Sequence, residues 1–176
     1  MGRLPIVAVI GSGVDEHDDL ARPLGQWLAG QDVHLLTGGG SGVMEAVSRS
    51  FHSVPDRRGL VIGVLPGEAG RSPEGYPNPW VEIPIATHLP FSGEQGTEVR
   101  SRNHINVLSA DAIIVLPGGA GTASEVDLAI KYRKPLAAFA IEPGDLSKLP
   151  PDVSVYQTID EIKAFVTASL KTRAKL

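Results

Sequence analysis

The chain has 176 residues, 42% of them hydrophobic and 20% charged, with a formal net charge of −4, which is enough apolar material for one domain with a core of its own. It contains no cysteine, which excludes disulfides and thiolate chemistry and predicts a cytoplasmic protein. The acidic balance argues against a non-specific nucleic-acid binder, which needs an excess of lysine and arginine, and no run is long enough to cross a membrane.

The first predicted strand covers residues 6–10 and runs straight into Gly11, Ser12 and Gly13. Entry into a strand so close to Met1 predicts no signal peptide. Residues 18–30 carry Leu20, Leu24, Trp27 and Leu28 at helical spacing, with Gly30 as a C-terminal stop. Pro23 suits that helix only in its first turn. A second strand over 33–36 leads through Thr37 into Gly38, Gly39, Gly40, Ser41 and Gly42, and a second helix is expected from there to about residue 51. Residues 53–59 read as a polar loop and 60–65 as a third strand. Residues 67–79 hold Gly67, Gly70, Gly75, Pro73, Pro77 and Pro79, the composition of a long binding loop or lid.

A short strand over 80–85 and a helix over 97–109 follow. The fifth strand, 112–116, runs into Pro117, Gly118, Gly119, Ala120 and Gly121, with a helix expected from Thr122 to about residue 132. Lys134-Pro135 stops it before a sixth strand over 136–141, and a proline- and glycine-rich loop extends to about residue 151. Thr158-Ile159-Asp160-Glu161 opens a last helix with a capping-box pattern. The tail over 171–176 is expected to fray. Strands alternate with helices throughout, so the predicted fold is a single α/β domain over 1–176, a parallel sheet with helices on both faces.

Three strands thus end in glycine-rich loops that open helices. Such junctions leave backbone N–H groups bare beside the positive end of a helix dipole, and a phosphate fits there. In open α/β sheets these loops gather at the carboxyl edge, where ligands bind. The P-loop pattern Gly-x-x-x-x-Gly-Lys-Ser/Thr is absent, and Gly11-x-Gly13 lacks the third glycine of the dinucleotide fingerprint.

Two charged residues stand out. Glu125 closes Thr122-Ala123-Ser124-Glu125, which reads equally as a capping box and as a carboxylate placed against the phosphate site, ready to meet a ribose hydroxyl or act as acid or base. Arg102 reads by default as a solvated i,i+4 partner of Glu98, yet Asn103 and Asn106 cluster with it in a polar patch suited to phosphate or a heterocycle edge. Arg100 reads as solvated. The five histidines show no metal-ligand spacing, so no metal site is expected. His34, within a strand, reads as packed. No Gly-x-Ser-x-Gly elbow is present.

The stretch Leu116-Pro117-Gly118-Gly119-Ala120-Gly121-Thr122-x-x-Glu125 resembles the Pro-Gly-Gly-x-Gly-Thr-x-x-Glu motif of the LOG-like Rossmann proteins. That superfamily includes the cytokinin-activating phosphoribohydrolases and the molybdenum cofactor carriers. The resemblance implies a Rossmann-like domain, commonly dimeric, with a nucleotide- or cofactor-sized pocket. In the hydrolase branch the motif glutamate works with an arginine in an Arg-Lys-x-x-Met stretch, so Glu125 and Arg102 would be its catalytic pair. Here Asn103 stands where that branch has lysine and Asn106 where it has methionine. The shorter second glycine loop, Ser101-Arg102-Asn103 and Gly59–Pro66 resemble the carrier branch instead. The resemblance therefore implies binding of a phosphorylated small molecule, the molybdenum cofactor (molybdopterin) or a nucleoside monophosphate, with hydrolysis of a nucleoside 5′-monophosphate as the alternative. It also implies a homodimer, and the few apolar residues free to cover both faces of the sheet and the helix before the fifth strand add the expectation that it is built on helices.

Overall fold

The computed structural model describes residues 3–68, 71–142, 146 and 149–173. Seven strands, β1 (Ile6–Ile10), β2 (His34–Thr37), β3 (Val61–Leu65), β4 (Ile83–Ala86), β5 (Ala112–Val115), β6 (Leu136–Phe139) and β7 (Val155–Tyr156), form one sheet. Every pairing is parallel, in the order β4-β3-β2-β1-β5-β6-β7. Alternate residues of each inner strand face opposite sides, so each strand feeds two cores. Val7, Val9, Leu35 and Ile114 pack beneath α1 (Asp18–Ala29), α2 (Val43–His52) and α5 (Ile159–Arg173). Ala8, Ile10, Leu36, Ile113 and Val115 pack beneath α3 (Asn103–Ser109) and α4 (Ala120–Lys131). The α/β Rossmann-like architecture, with helices on both faces, is the one the alternation predicts.

Chain order runs outward from β1 to β4, then crosses back to β5 on the other side of β1. The switch point therefore lies between the carboxyl ends of β1 and β5, which is where such sheets leave a crevice. The loops after Ile10 and Leu116 flank it, and Ser12 N donates to Pro117 O (2.9 Å) to tie them together.

Several boundaries differ from those predicted. Pro23 lies beyond the first turn of α1, where it removes one helical hydrogen bond. Packing offsets that loss: Leu20, Leu24 and Leu28 are buried, and at Gly25 a Cβ would meet Val47 O and Ser50 Cβ at 2.8 Å, so α1 and α2 approach closely. The strand expected at 80–85 begins only at Ile83, because Asn78 holds a turn there; its Oδ1 accepts from Trp80 N (3.1 Å) and its carbonyl from Val81 N (3.3 Å). The helix expected over 97–109 begins at Asn103. Before it lie a short 3-10 helix, Gly93–Gln95, and a turn in which Ser101 N donates to Glu98 O (2.8 Å). β7 is an additional short edge strand.

The capping box of α5 forms, with Thr158 N and Oγ1 donating to Glu161 Oε2 at 3.0 and 2.7 Å. The tail expected to fray from 171 stays helical through Arg173, and 174–176 lie outside the described residues. Residues 69–70 of the long loop, and 143–145 and 147–148 of the later one, also lie outside them. His34 is a packing residue whose Nδ1 accepts from Leu60 N (3.1 Å). No helix of the described residues is long and apolar enough to cross a membrane.

Candidate functional site

A cavity of about 290 Å³ opens at the switch point between β1 and β5. Gly11, Ser12 and Gly13 form its floor, Gly38 enters from the second glycine loop, and Gly119, Gly121 and Thr122 bring the first turn of α4 to it. Arg102, Asn103 and Glu125 also line it. The three predicted glycine loops therefore meet at one edge of one sheet.

Gly119 is the N-cap of α4, which begins at Ala120, two residues before the predicted start, and no side chain caps the helix. The first-turn amides of a helix have no partner within it, and Gly119, Gly121 and Thr122 at this helix start line the cavity. Gly119 has φ −98 and ψ −147, and a Cβ built on it would meet nothing within 4 Å. A Cβ on Gly121 would make only ordinary contact with Gly93, at 3.6 Å. Gly13 is similarly open, with Met44 Cε at 3.9 Å. Packing does not demand glycine at 119 or 121, and neither has a positive φ, so the room above them is left for something else.

The remaining predicted residues support this cavity from behind. At Gly42, φ is +64 and a Cβ would strike Ser12 O and lie 2.7 Å from Gly13 C, so only glycine closes that turn. Val43 N donates to Ser12 O (2.9 Å) and Ser41 Oγ to Gly13 O (2.6 Å), binding the first two glycine loops together. Gly118 lies on Gly11 and Ser12, with no space for a side chain. Gly39 and Gly40 sit behind Gly38, the Pro117 carbonyl accepts from Ser12 N, and Ala120 begins α4. None of these lines the cavity itself.

Glu125 does not close a capping box. Because α4 starts at Ala120, Thr122 lies inside the helix, and Glu125 points instead toward α3, where Asn106 Nδ2 donates to Glu125 Oε1 (3.0 Å). Arg102 is not the surface partner of Glu98. It is 5% exposed, and its Nη1 lies 3.8 Å from Glu125 Oε1. A Cβ at Gly38 would lie 2.7 Å from the Arg102 guanidinium carbon, so the arginine lies over the glycine loop. Burial pushes the Glu125 carboxyl above the ordinary carboxylate value, against the opposing pull of Arg102 and Asn106.

Four buried polar atoms here have no hydrogen-bond partner among the described residues: Arg102 Nε and Nη1, Asn106 Oδ1 and Thr122 Oγ1. Unpaired buried N–H groups are costly and rare. Asn103, by contrast, is satisfied, donating through Nδ2 to Ser124 Oγ (3.1 Å). Arg100, predicted as solvated, is exposed and lies over the Phe91 ring at 5.3 Å.

Sequence reasoning missed Val9, Ile10, Val14, Met44, Tyr76, Ser92 and Gly93, which complete the lining. Tyr76 falls in the 67–79 loop singled out by its glycines and prolines, whereas Ser92 and Gly93 carried no local signal. Among the described residues no three His, Cys, Asp or Glu side chains gather as a metal site would require.

Residues 4–167 match the model of the SLOG cluster4 family. An uncharacterized protein of Archaeoglobus fulgidus is 33% identical over 138 residues, 77% of this chain and 80% of that one. Among solved structures, the molybdenum cofactor carrier protein of Chlamydomonas reinhardtii is 31% identical with a TM-score of 0.74, covering 96% of this chain and 99% of its own. The molybdenum cofactor binding protein of the phototrophic bacterium Rippkaea orientalis is 32% identical with a TM-score of 0.71, covering 94% and 99%.

Proposed function

This chain belongs to the SLOG cluster4 family, and from that premise we propose that it binds the phosphorylated pterin of the molybdenum cofactor at the carboxyl edge of its sheet and carries it without turnover. The observation that bears most weight is the open glycine pair of α4. Gly119 and Gly121 are required by nothing in the protein, yet they leave the first-turn amides reachable by a phosphate. Beside them, Arg102 holds two buried nitrogens, Nε and Nη1, with no hydrogen-bond partner among the described residues, which a ligand phosphate or carbonyl would satisfy. Arg102 and Glu125 are the charged residues of the lining, so recognition rests on amides and one guanidinium rather than on a basic surface. The names of the Chlamydomonas and Rippkaea proteins, whose likeness extends along almost the whole chain, support the same ligand.

A second reading keeps one specific observation in its favour: Arg102 and Glu125 face the same cavity, as a nucleoside 5′-monophosphate phosphoribohydrolase would need. Glu125 would then stabilise positive charge developing on the ribose. The carrier reading is preferred because Asn106 already occupies one Glu125 oxygen and burial raises its pKa, leaving a poor anion for that task. The experiment is direct. Protein incubated with molybdopterin is expected to retain it through gel filtration, with inorganic phosphate competing. Protein incubated with adenosine monophosphate is expected to release no adenine. Base release that falls by roughly 10² or more in a folded Glu125→Gln variant would establish the hydrolase instead.

We further propose a homodimer built on α3 and α4, whose surfaces expose Leu108 (51%) and Ile130 (45%). Light scattering at micromolar concentration is expected to report twice the chain mass, and an 18.6 kDa species alone would rule the dimer out.

A further inference from the structure

The cavity has two chemically different ends. Gly11 and Ser12 adjoin Gly118 and Thr122 at the α4 end, which offers amides and a hydroxyl. Gly13, two residues on, adjoins Met44, and Met44 adjoins Tyr76: a Cβ on Gly40 would lie 2.9 Å from Met44 Cε and 2.8 Å from Tyr76 Cζ. The first glycine loop therefore spans from a phosphate-binding end to an end walled by a thioether and a phenol ring. Gly40 is the residue whose missing side chain admits that ring.

Tyr76 is also held in place. Asn78, buried at 4% exposure, donates through Nδ2 to Gly40 O (2.8 Å) and through its backbone N–H to Gly39 O (2.8 Å). Two bonds thus fasten the segment around Tyr76 to the back of the second glycine loop, whose front carries Gly38 into the cavity. Tyr76 N closes a turn on Pro73 O (3.2 Å), which further fixes the backbone that carries the ring. A half-buried aromatic ring held in this way, opposite an anion site, suits a flat heterocycle. Offset stacking adds to area burial, and every conjugated ring system presents a π face to it.

Building on the binding function proposed above, we infer that Tyr76 is the platform on which the ring system of the ligand stacks, with Met44 beside it and Asn78 as the positioning residue. The phosphate is held at α4, and the distance between the two ends selects a ligand that carries both a phosphate and a planar ring.

The test uses the full chain with molybdopterin as ring-bearing probe and inorganic phosphate as ring-free competitor. Dissociation constants are measured for wild type, Tyr76→Ala and Tyr76→Phe. Tyr76→Ala is expected to weaken molybdopterin about 10-fold or more, while the inhibition constant of phosphate stays within about twofold. Tyr76→Phe keeps the ring and is expected to bind within about threefold of wild type. An unchanged molybdopterin affinity in Tyr76→Ala would overturn the assignment, as would an equal loss for both probes, which would mean general collapse of the pocket. Failure of the wild type to bind molybdopterin at all would overturn the binding function as well, whereas the other two outcomes leave that function standing.

Discussion

Replacing Gly119 by aspartate is expected to stabilise the fold and to abolish ligand binding. The two effects have opposite signs because they draw on the same amides. Gly119 has φ −98 and ψ −147, a negative φ outside the left-handed region, and a Cβ there meets nothing within 4 Å. An aspartate at this N-cap would accept from the amides of Gly121 or Thr122 and place its charge against the positive end of the α4 dipole. The expected gain over glycine is about 0.5–1 kcal/mol, read from chemical denaturation. The same carboxylate would fill the space a ligand phosphate needs and repel it, so molybdopterin affinity should fall by about 100-fold or more, equivalent to ~2.7 kcal/mol. Gly119→Asn, which caps without charge, should lose less. An aspartate variant that is more stable yet binds as tightly as the wild type would show that the α4 terminus does not hold the phosphate.

That opposition of stability and binding shows why part of the site was legible from the chain alone. A strand running into glycines and then a helix is a local signal, and the loops at 11–13, 38–42 and 118–121 were identifiable without any knowledge of strand order. Their convergence follows from the switch point between β1 and β5, which the alternation of elements implies. Glu125 was ambiguous for a physical reason. Thr-x-x-Glu satisfies local capping rules, but the start of α4 is set by Gly118 docking on Gly11 and Ser12, a contact between residues distant in sequence. Once the helix begins two residues earlier, the threonine cannot cap and the carboxylate turns to Asn106. Arg102 was misplaced as a surface residue for a related reason. Its helix begins at Asn103 rather than near 97, so the spacing to Glu98 has no helical meaning. Tyr76 belongs to a loop whose composition announced a role, but nothing in its local sequence shows that Asn78 docks it on Gly39 and Gly40.

Arg102→Met is expected to have the largest effect on stability and to weaken binding as well, and pH separates the two. Arg102 is 5% exposed, and its Nη1 lies 3.8 Å from Glu125 Oε1. Removing the guanidinium leaves a buried carboxylate without its counter-charge, a loss on the order of 3–5 kcal/mol where the carboxylate is ionised. The Glu125 pKa already lies above the ordinary value of 4.5, chiefly through burial, and Arg102 is the first influence holding it down. Without Arg102 it rises further. A carboxyl whose folded pKa is raised contributes stability that is fully present below its unfolded value and is lost as pH rises through the folded value. The variant should therefore approach wild-type stability near pH 4.5 and fall away from it towards neutrality, measured as denaturation midpoints across that range. Adding Glu125→Gln removes the uncompensated charge, since a buried pair replaced by neutral groups costs little. The double variant should recover most of the loss at neutral pH and show a flatter pH profile. It should still fail to bind molybdopterin, by about 100-fold or more, because the guanidinium donors are gone. Recovery of binding along with stability in the double variant would assign Arg102 a purely structural role and leave the α4 amides as the whole of the anion site.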